Sequence, residues 1–505
     1  MNNNEKSRTK DRRSGVGGPL YGRFAVSDKK NTPGLALSIS LGFTLLFLAF
    51  LPPGIYSIDG NSMLAVAESL VVNHDVSVPQ GLGSVGSDGR VYSNWYPLLS
   101  LLSLPFVAVA YLCSHLLNLP FHYLAAIFAS LIQVPLTAAT AGLVALLALE
   151  LGATRCGAWL AALSFSLGTI ALVYVRTFFA EPLLAFLITF SLYLVFRSTP
   201  RAIFASGFMT ALAVLAKPTG IVAGPILSAY LLAKHDVPRW RAFVPFGGSI
   251  VGFLLYVTYN QVRFGKPLQF GQPWIFSPSS FPAGLAGLLA SPGWGIIWYC
   301  PLLLLSIFGF RLAVRSKVVE ALAIVAVFAG FLLLHSFYVN WSAGWSWGPR
   351  YLVPVIPCLC SLTGLLRERG RKALIVLTIA GCVINAPTLF GFYERYFAEL
   401  NEQNIPPGNE TAWSLPLAPF LHGWPAAIRQ AKDASHHNVR DLFAQRGEPS
   451  QRIGDSRALR IIALWWWVLP IAHIPRWIGL VLSAVLISGA LVILVRSTPE
   501  FDSIV

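Results

Sequence analysis

Runs of about twenty apolar residues recur along this 505-residue chain, and they limit its fold more than any other feature. Such a run, wound as a helix, matches the roughly 30 Å thickness of a hydrocarbon core. Within a bilayer only helices and closed barrels satisfy their own backbone, and the alternating pattern of barrel strands is absent here. Composition agrees, with 55% hydrophobic and 12% charged residues, against roughly a quarter charged in soluble domains. The expected fold is therefore an all-α polytopic membrane protein with about 11–13 transmembrane helices.

The net charge is +15, from 37 basic and 22 acidic residues. The basic residues are scattered through short loops, which fits a positive-inside bias and contact with anionic lipid, not nucleic acid. Arg197/Arg201, Lys234/Arg239/Arg241, Arg311/Arg315/Lys317 and Arg367/Arg369/Arg371/Lys372 mark cytoplasmic loops. Residues 55–96, 176–181, 260–295, 339–350 and 392–460 then face outward. Residues 1–33 read as a disordered basic cytoplasmic tail before an uncleaved first helix at about 35–54, in the plasma (inner) membrane. Between residues 97 and 156 two apolar segments break the alternation: either one is re-entrant or surface-lying, or Arg155 is outside. The six cysteines lie in or beside apolar runs and suggest free thiols. There is no CxxC, no HExxH and no metal-ligand spacing, so neither cofactor nor metal is expected.

The cytoplasmic loops are short and basic, whereas the outer loops carry the varied chemistry. Asp59 opens the first of them in Tyr56-Ser57-Ile58-Asp59-Gly60-Asn61-Ser62. A carboxylate beside a bilayer is costly unless it is paired or used. Asp59, Met63, Val66 and Leu70 recur at helical spacing, so Asp59 is either the N-cap of a short helix or a general base. Glu68 reads as a solvated partner, and Asp75 suits either role. Arg176 and Glu181 flank the next boundary; the plain alternative has Arg176 snorkelling and Glu181 facing its own helix N-terminus. Lys217, in Lys217-Pro218-Thr219-Gly220, interrupts the apolar stretch 202–233, as a phosphate cation or as a hairpin lysine reaching water. Asn260, Arg263 and Lys266 follow a span, and Trp345, Trp347, Arg350 and Tyr351 precede another. Arginine suits phosphate and aromatic faces suit sugars, though tryptophans also form interfacial belts. Arg90, Tyr92 and Tyr96 close the first loop.

Taken in order, IDGNSMLAVAESL, GRVYSNWYPLLSLLSLPF, RTFFAEPLLAFLITFSLYL, LAKPTG, YNQVRFGKPLQFG, SPGWGIIWYCPLLLL and GPRYLVPVIP resemble the GT-C superfamily of polyprenyl-phosphate-sugar-dependent glycosyltransferases. The similarity is to bacterial protein O-mannosyltransferases and the lipid A aminoarabinose transferase, and it spans most of residues 35–395. It implies Asp59 as catalytic base and Lys217, Arg263 and Arg350, with Lys266, as cations for the lipid phosphate. Glu181, Arg176, Asp75, Arg90, Tyr92, Tyr96, Asn260, Trp345, Trp347 and Tyr351 would support them or bind sugar and acceptor. Some relatives carry adjacent acids in the first loop where this chain has one Asp-Gly, which argues against a metal-dependent mechanism; the resemblance implies inversion at the anomeric carbon. The implied partners are a polyprenyl-phosphate-linked sugar, a lipid, glycan or protein acceptor, and membrane lipid. Residues 34–395 form the catalytic module in this reading, 396–460 an outer loop suited to acceptor binding with an amphipathic stretch near 415–432, and 461–505 a last membrane segment with a short tail. A lipid or sugar transporter is the alternative; it requires polar residues at mid-membrane and an internal repeat.

Overall fold

The computed structural model describes residues 32–437 apart from 235 and 273, residue 439, and residues 461–498. Most of the expected tail, the stretch 440–460 and the last seven residues lie outside the described residues. The chain is a bundle of α-helices with one small hairpin. Its helices are α1 (Thr32–Ala49), α2 (Ile58–Val72), α3 (Pro97–Leu117), α4 (Phe121–Ser130), α5 (Gln133–Glu150), α6 (Arg155–Gly168), α7 (Ala180–Arg197), α8 (Pro200–Ala216) and α9 (Ala223–Ala233). They continue with α10 (Val244–Phe264), α11 (Phe281–Ala290), α12 (Val318–Ser336), α13 (Ile356–Thr363), α14 (Glu368–Asn385), α15 (Glu394–Glu402), α16 (Pro419–Ser435) and α17 (Arg476–Arg496). Two short antiparallel strands, β1 (Gly83–Val85) and β2 (Val91–Ser93), sit in the first loop. Six helices are long and apolar enough to cross a membrane, and five shorter apolar ones accompany them among the described residues. This is a multi-pass membrane protein.

Close helix packing sets which residues meet. With little hydrophobic drive between helices in lipid, small side chains and interhelical hydrogen bonds carry association. Gly248 and Gly252 of α10 lie one turn apart against the backbone of Gly207 and Ala211 on α8. Thr210 Oγ1 donates across the same seam to the Pro245 carbonyl at 2.8 Å. Helices α7 and α8 join through a short turn in which Thr199 caps the Ala202 amide. Ser191 and Ser206 hydrogen-bond between these two helices at 2.7 Å. Because α7 and α8 are antiparallel and of nearly equal length (18 and 17 residues), Glu181 at the start of one and Lys217 just past the other arrive at the same end.

The charges divide between the two ends of the bundle. Arg197 with Glu150 (3.1 Å) and Lys234 with Glu320 (2.8 Å) lie at one end. Arg371 reaches Thr154 at that same end, placing Arg155 beside the basic loops. The segment between residues 97 and 156 folds into α3, α4 and α5. Tyr96, which leads α3, packs against Tyr256 near the opposite end. After α3, the ten residues of α4 span only about 15 Å before Gln133 of α5 donates to the Phe179 carbonyl at 2.8 Å, also at that end. Helix α3 has the length and apolarity of a span, α4 is too short to be one, and α5 runs from the Phe179 end to Arg155 at the end of the basic loops.

The apolar core extends beyond residue 395, through Tyr396, Phe397, Leu400 and Ala412 to Leu494 of α17. Helix α16 covers the expected amphipathic stretch and packs against α14 and α15. The six cysteines form no disulfide.

Candidate active site

Four charged side chains from four parts of the chain meet at one end of the bundle. Arg350 Nη2 donates to Asp59 Oδ2 at 2.6 Å, and its Nε donates to Glu181 Oε1 at 2.9 Å. Lys217 Nζ reaches that same glutamate oxygen at 2.7 Å. All four are strongly buried, with Asp59 the most open at 16% side-chain exposure and Glu181 sealed at 1%. Two acids and two bases cancel in charge, which allows the group to leave water at a tolerable cost. The Arg350 guanidinium also lies 3.6 Å from the Phe179 ring centre, and Lys217 Nζ lies 4.5 Å from that of Tyr351.

The residues around Asp59 explain its placement. Ser57, not Asp59, caps α2, accepting from the Gly60 amide at 3.1 Å. Asp59 sits in the first helical turn, so the N-cap alternative does not hold. Asn61 donates to the carbonyls of Ile55 and Ser57, and Ser62 bonds Leu82 and Ser93. Gly60 packs so closely that a Cβ would meet Ile55, Ser57 and the Phe178 carbonyl. Asp59 faces Arg350 because its neighbours are tied elsewhere. Burial raises its proton affinity above the ordinary carboxylate value of 3.8, against the lowering effect of Arg350.

Arg350 is held as firmly. Trp347 Nε1 donates to Asn385 Oδ1 at 2.9 Å, Tyr174 donates to the Trp347 carbonyl at 3.1 Å, and Trp294 donates to the Ser346 carbonyl at 3.1 Å. Gly348 has φ +65°, and a Cβ there would strike the Tyr299 ring at 2.7 Å. Trp347 is therefore an anchor for the Arg350 backbone, while Trp345 is half-exposed and stacks on Phe397.

Asp59, Lys217, Arg350 and Tyr351 line a cavity together with Trp95, Tyr96, Thr219, Gln272, Trp274, Phe276, His335 and Tyr338. Its free space is about 40 Å³, enough for roughly three waters. One lip is a short backbone pairing, Ser277 to the Phe337 carbonyl and Val339 to the Ile275 carbonyl, which carries the clustered rings of Trp274, Phe276 and Tyr338. Thr219, Gln272 and His335 were not singled out from the sequence. His335 had a visible signal, an ionisable residue at the end of an apolar helix.

Other expected site residues fall outside this cluster. Arg263 is fully buried, but it donates to the carbonyls of Ser93 and Trp95 and to Asn260 Oδ1, and lies 3.9 Å from the Tyr259 ring centre. It clamps the end of the first loop and thereby places Trp95 and Tyr96. Arg176 donates to the carbonyls of Phe50, Thr388 and Ala463, joining three segments that local sequence could not connect. Asp75, Arg90 and Tyr92 staple the hairpin: Arg90 pairs with Asp75 and Asp88 at 3.2 Å, and Tyr92 donates to Asp88 at 2.8 Å. Lys266 is exposed beyond the end of α10. Replacing Arg263 with alanine is expected to cost about 2–4 kcal/mol of stability by stranding buried acceptors. Thermal unfolding of the purified variant checks this.

Among known structures, apo ArnT from Cupriavidus metallidurans superimposes with a TM-score of 0.50 at 17% identity, covering 91% of this chain and 78% of that one. The bundle shares the fold of that structure. Lower likenesses include ArnT from the same organism bound to undecaprenyl phosphate (TM-score 0.49, 17% identity, 91% and 78% covered). Another is the apo Archaeoglobus fulgidus oligosaccharyltransferase (TM-score 0.44, 12% identity, 88% and 64% covered). No family model and no curated protein matches the chain. The likeness is one of backbone architecture, at a sequence identity too low to carry residue roles across.

Proposed function

We propose that the protein is a membrane glycosyltransferase that moves a sugar from a polyprenyl-phosphate donor to an acceptor hydroxyl on the extracytoplasmic face. The observation that carries this reading is the meeting of Asp59 with Arg350, Glu181 and Lys217 on the wall of an aromatic cavity. Asp59 takes the proton of the acceptor hydroxyl, whose oxygen bonds to the anomeric carbon. The bond from that carbon to the phosphate oxygen breaks, and polyprenyl phosphate leaves with the bonding electrons and one more negative charge. Configuration inverts. Arg350 and Lys217, preset by Glu181, stabilise the charge that grows on the leaving phosphate. Arg350 Nη1 carries no bond to either acid, so a phosphate oxygen has a donor without breaking the cluster.

A reaction run without a divalent ion is part of the same proposal, and what supports it is that Asp59 and Glu181 are already paired with Arg350 and Lys217. Gathering of these charges at one end of the bundle also suits an enzyme better than a transport path with polar groups midway. The proposal places the protein in the inner membrane with the N-terminus cytoplasmic and the cluster outside, an orientation that the basic loops at the opposite end of the bundle support.

Purified protein incubated with radiolabelled polyprenyl-phosphate sugars and membrane extract is expected to label one lipid, glycan or protein fraction. No labelled fraction with any donor would overturn the proposal. The pH profile offers a further check. Asp59 must be unprotonated to act, so kcat/KM should fall on the acid side at a pH above the ordinary carboxylate value of 3.8. A group whose proton affinity is raised by folding contributes stability at low pH and loses it as pH rises through the folded pKa. The acid loss should therefore appear in activity while the melting temperature shows no matching fall from this group.

A further inference from the structure

Two polar atoms in the cavity wall have no partner. His335 Nε2 and Thr219 Oγ1 are buried, with their residues 3% exposed, and neither makes a hydrogen bond. Both residues line the same cavity as Asp59 and Arg350. Buried polar groups are nearly always satisfied, so two orphans on residues that line one cavity call for a ligand that completes them.

The other ring nitrogen of His335 defines what that ligand brings. His335 Nδ1 lies 2.8 Å from the Phe331 carbonyl, which can only accept, so Nδ1 carries the hydrogen. In the neutral ring Nε2 is then a lone pair, which accepts a hydrogen and offers none. The ring is locked, stacked on Tyr351 with centroids 4.6 Å apart and flanked by Phe331 at 5.9 Å. Tyr351 also carries Lys217 against its ring, so the orphan nitrogen and the proposed phosphate cation are built on one side chain. Around them Trp95, Tyr96, Trp274 and Tyr338 present aromatic surface. Rings for C–H faces, beside one fixed acceptor and one hydroxyl, form a surface that reads a hydroxylated ring.

We infer that His335 and Thr219 are specificity-determining residues that read hydroxyl groups of the transferred sugar, with one sugar O–H donating to His335 Nε2. This rests on the glycosyltransferase reading of the same cavity. It assigns His335 a role in choosing the sugar, separate from proton transfer and from holding the phosphate. A donor whose hydroxyl is inverted or missing at the position facing Nε2 would leave that nitrogen unsatisfied and be disfavoured.

The test compares binding of plain undecaprenyl phosphate with binding of undecaprenyl phosphates carrying glucose, mannose, galactose or arabinose, on intact protein in lipid nanodiscs. Wild type is expected to prefer at least one sugar-bearing lipid over the plain one. His335→Leu and Thr219→Val should each cut that preference about tenfold, the scale of one neutral hydrogen bond, with plain-lipid affinity unchanged. His335→Gln, which keeps an acceptor near the Nε2 position, should retain most of the preference. A deoxy donor lacking the donated hydrogen should lose the same factor on wild type and nothing further on His335→Leu. An unchanged preference in both variants, or equal loss of plain and sugar-bearing lipid, overturns the assignment, and so does a wild type with no preference at all. Each of those results leaves the glycosyltransferase proposal standing if labelled sugar is still transferred and Asp59→Asn stops it.

Discussion

Asp59→Asn is expected to lower the transfer rate by about 10²–10⁴-fold, the range attributable to a general base, while donor binding changes little. Asparagine has nearly the same shape and can still accept from Arg350 Nη2 through its amide oxygen, so the 2.6 Å contact is replaced by a weaker neutral one. What disappears is the ability to take a proton. The residues that place position 59, namely the Ser57 cap, the Asn61 side chain and the Ser62 bonds to Leu82 and Ser93, are untouched. Single-turnover transfer, run beside a lipid-binding titration and a melting curve, separates these effects. Near-normal turnover in Asp59→Asn would remove Asp59 from the chemistry and leave it as a partner for Arg350.

Arg350→Gln should have the larger effect, because it strikes folding and function together. Arg350 is the bridge between Asp59 and Glu181, and its loss leaves two buried carboxylates sharing one remaining cation, Lys217. Removing one partner of a buried ion pair typically costs 3–5 kcal/mol, since the other charge stays behind without compensation. The protonation of Asp59 that relieves this repulsion would itself remove the base. Transfer should fall below detection, and affinity for undecaprenyl phosphate should drop. Arg350→Lys should recover part of the stability but little of the activity, because a single ammonium cannot hold two carboxylates with the fixed fork of a guanidinium. Full activity in Arg350→Lys would show that only a positive charge is needed there.

These two variants differ in how visible their basis was. Asp59 could be picked out as an acid beside a bilayer, and the GPRY segment as a cation entering a span. Their 2.6 Å contact joins positions 291 residues apart and has no local signature. The roles of Arg263 and Arg176 were hidden for the same reason. Arg263 looks like a phosphate cation in the sequence and Arg176 like a snorkelling or substrate-supporting residue, yet they donate to backbone carbonyls of Ser93 and Trp95, and of Phe50, Thr388 and Ala463, respectively. An arginine's partners follow from packing, and carbonyls are present everywhere in the chain.

The segment after the first outer loop gives the same lesson at the level of topology. Residues 121–150 read as one apolar stretch because hydropathy is local, yet they divide into α4 and α5, with Gln133 at the start of α5 tied to the Phe179 carbonyl.

What the sequence alone determined was the class of fold, since long apolar runs leave the backbone no choice but helix in a bilayer, and the side of the bundle on which charged residues gather. Helix length and loop charge carry that information residue by residue. Only the tertiary structure decided which charges meet, which are spent on holding loops together, and that His335 and Thr219 of the cavity lining keep buried atoms without a partner among the described residues. Those outcomes depend on small-residue seams such as Gly248 and Gly252 against α8, which bring distant helix ends to one point with a precision that no spacing along the chain records.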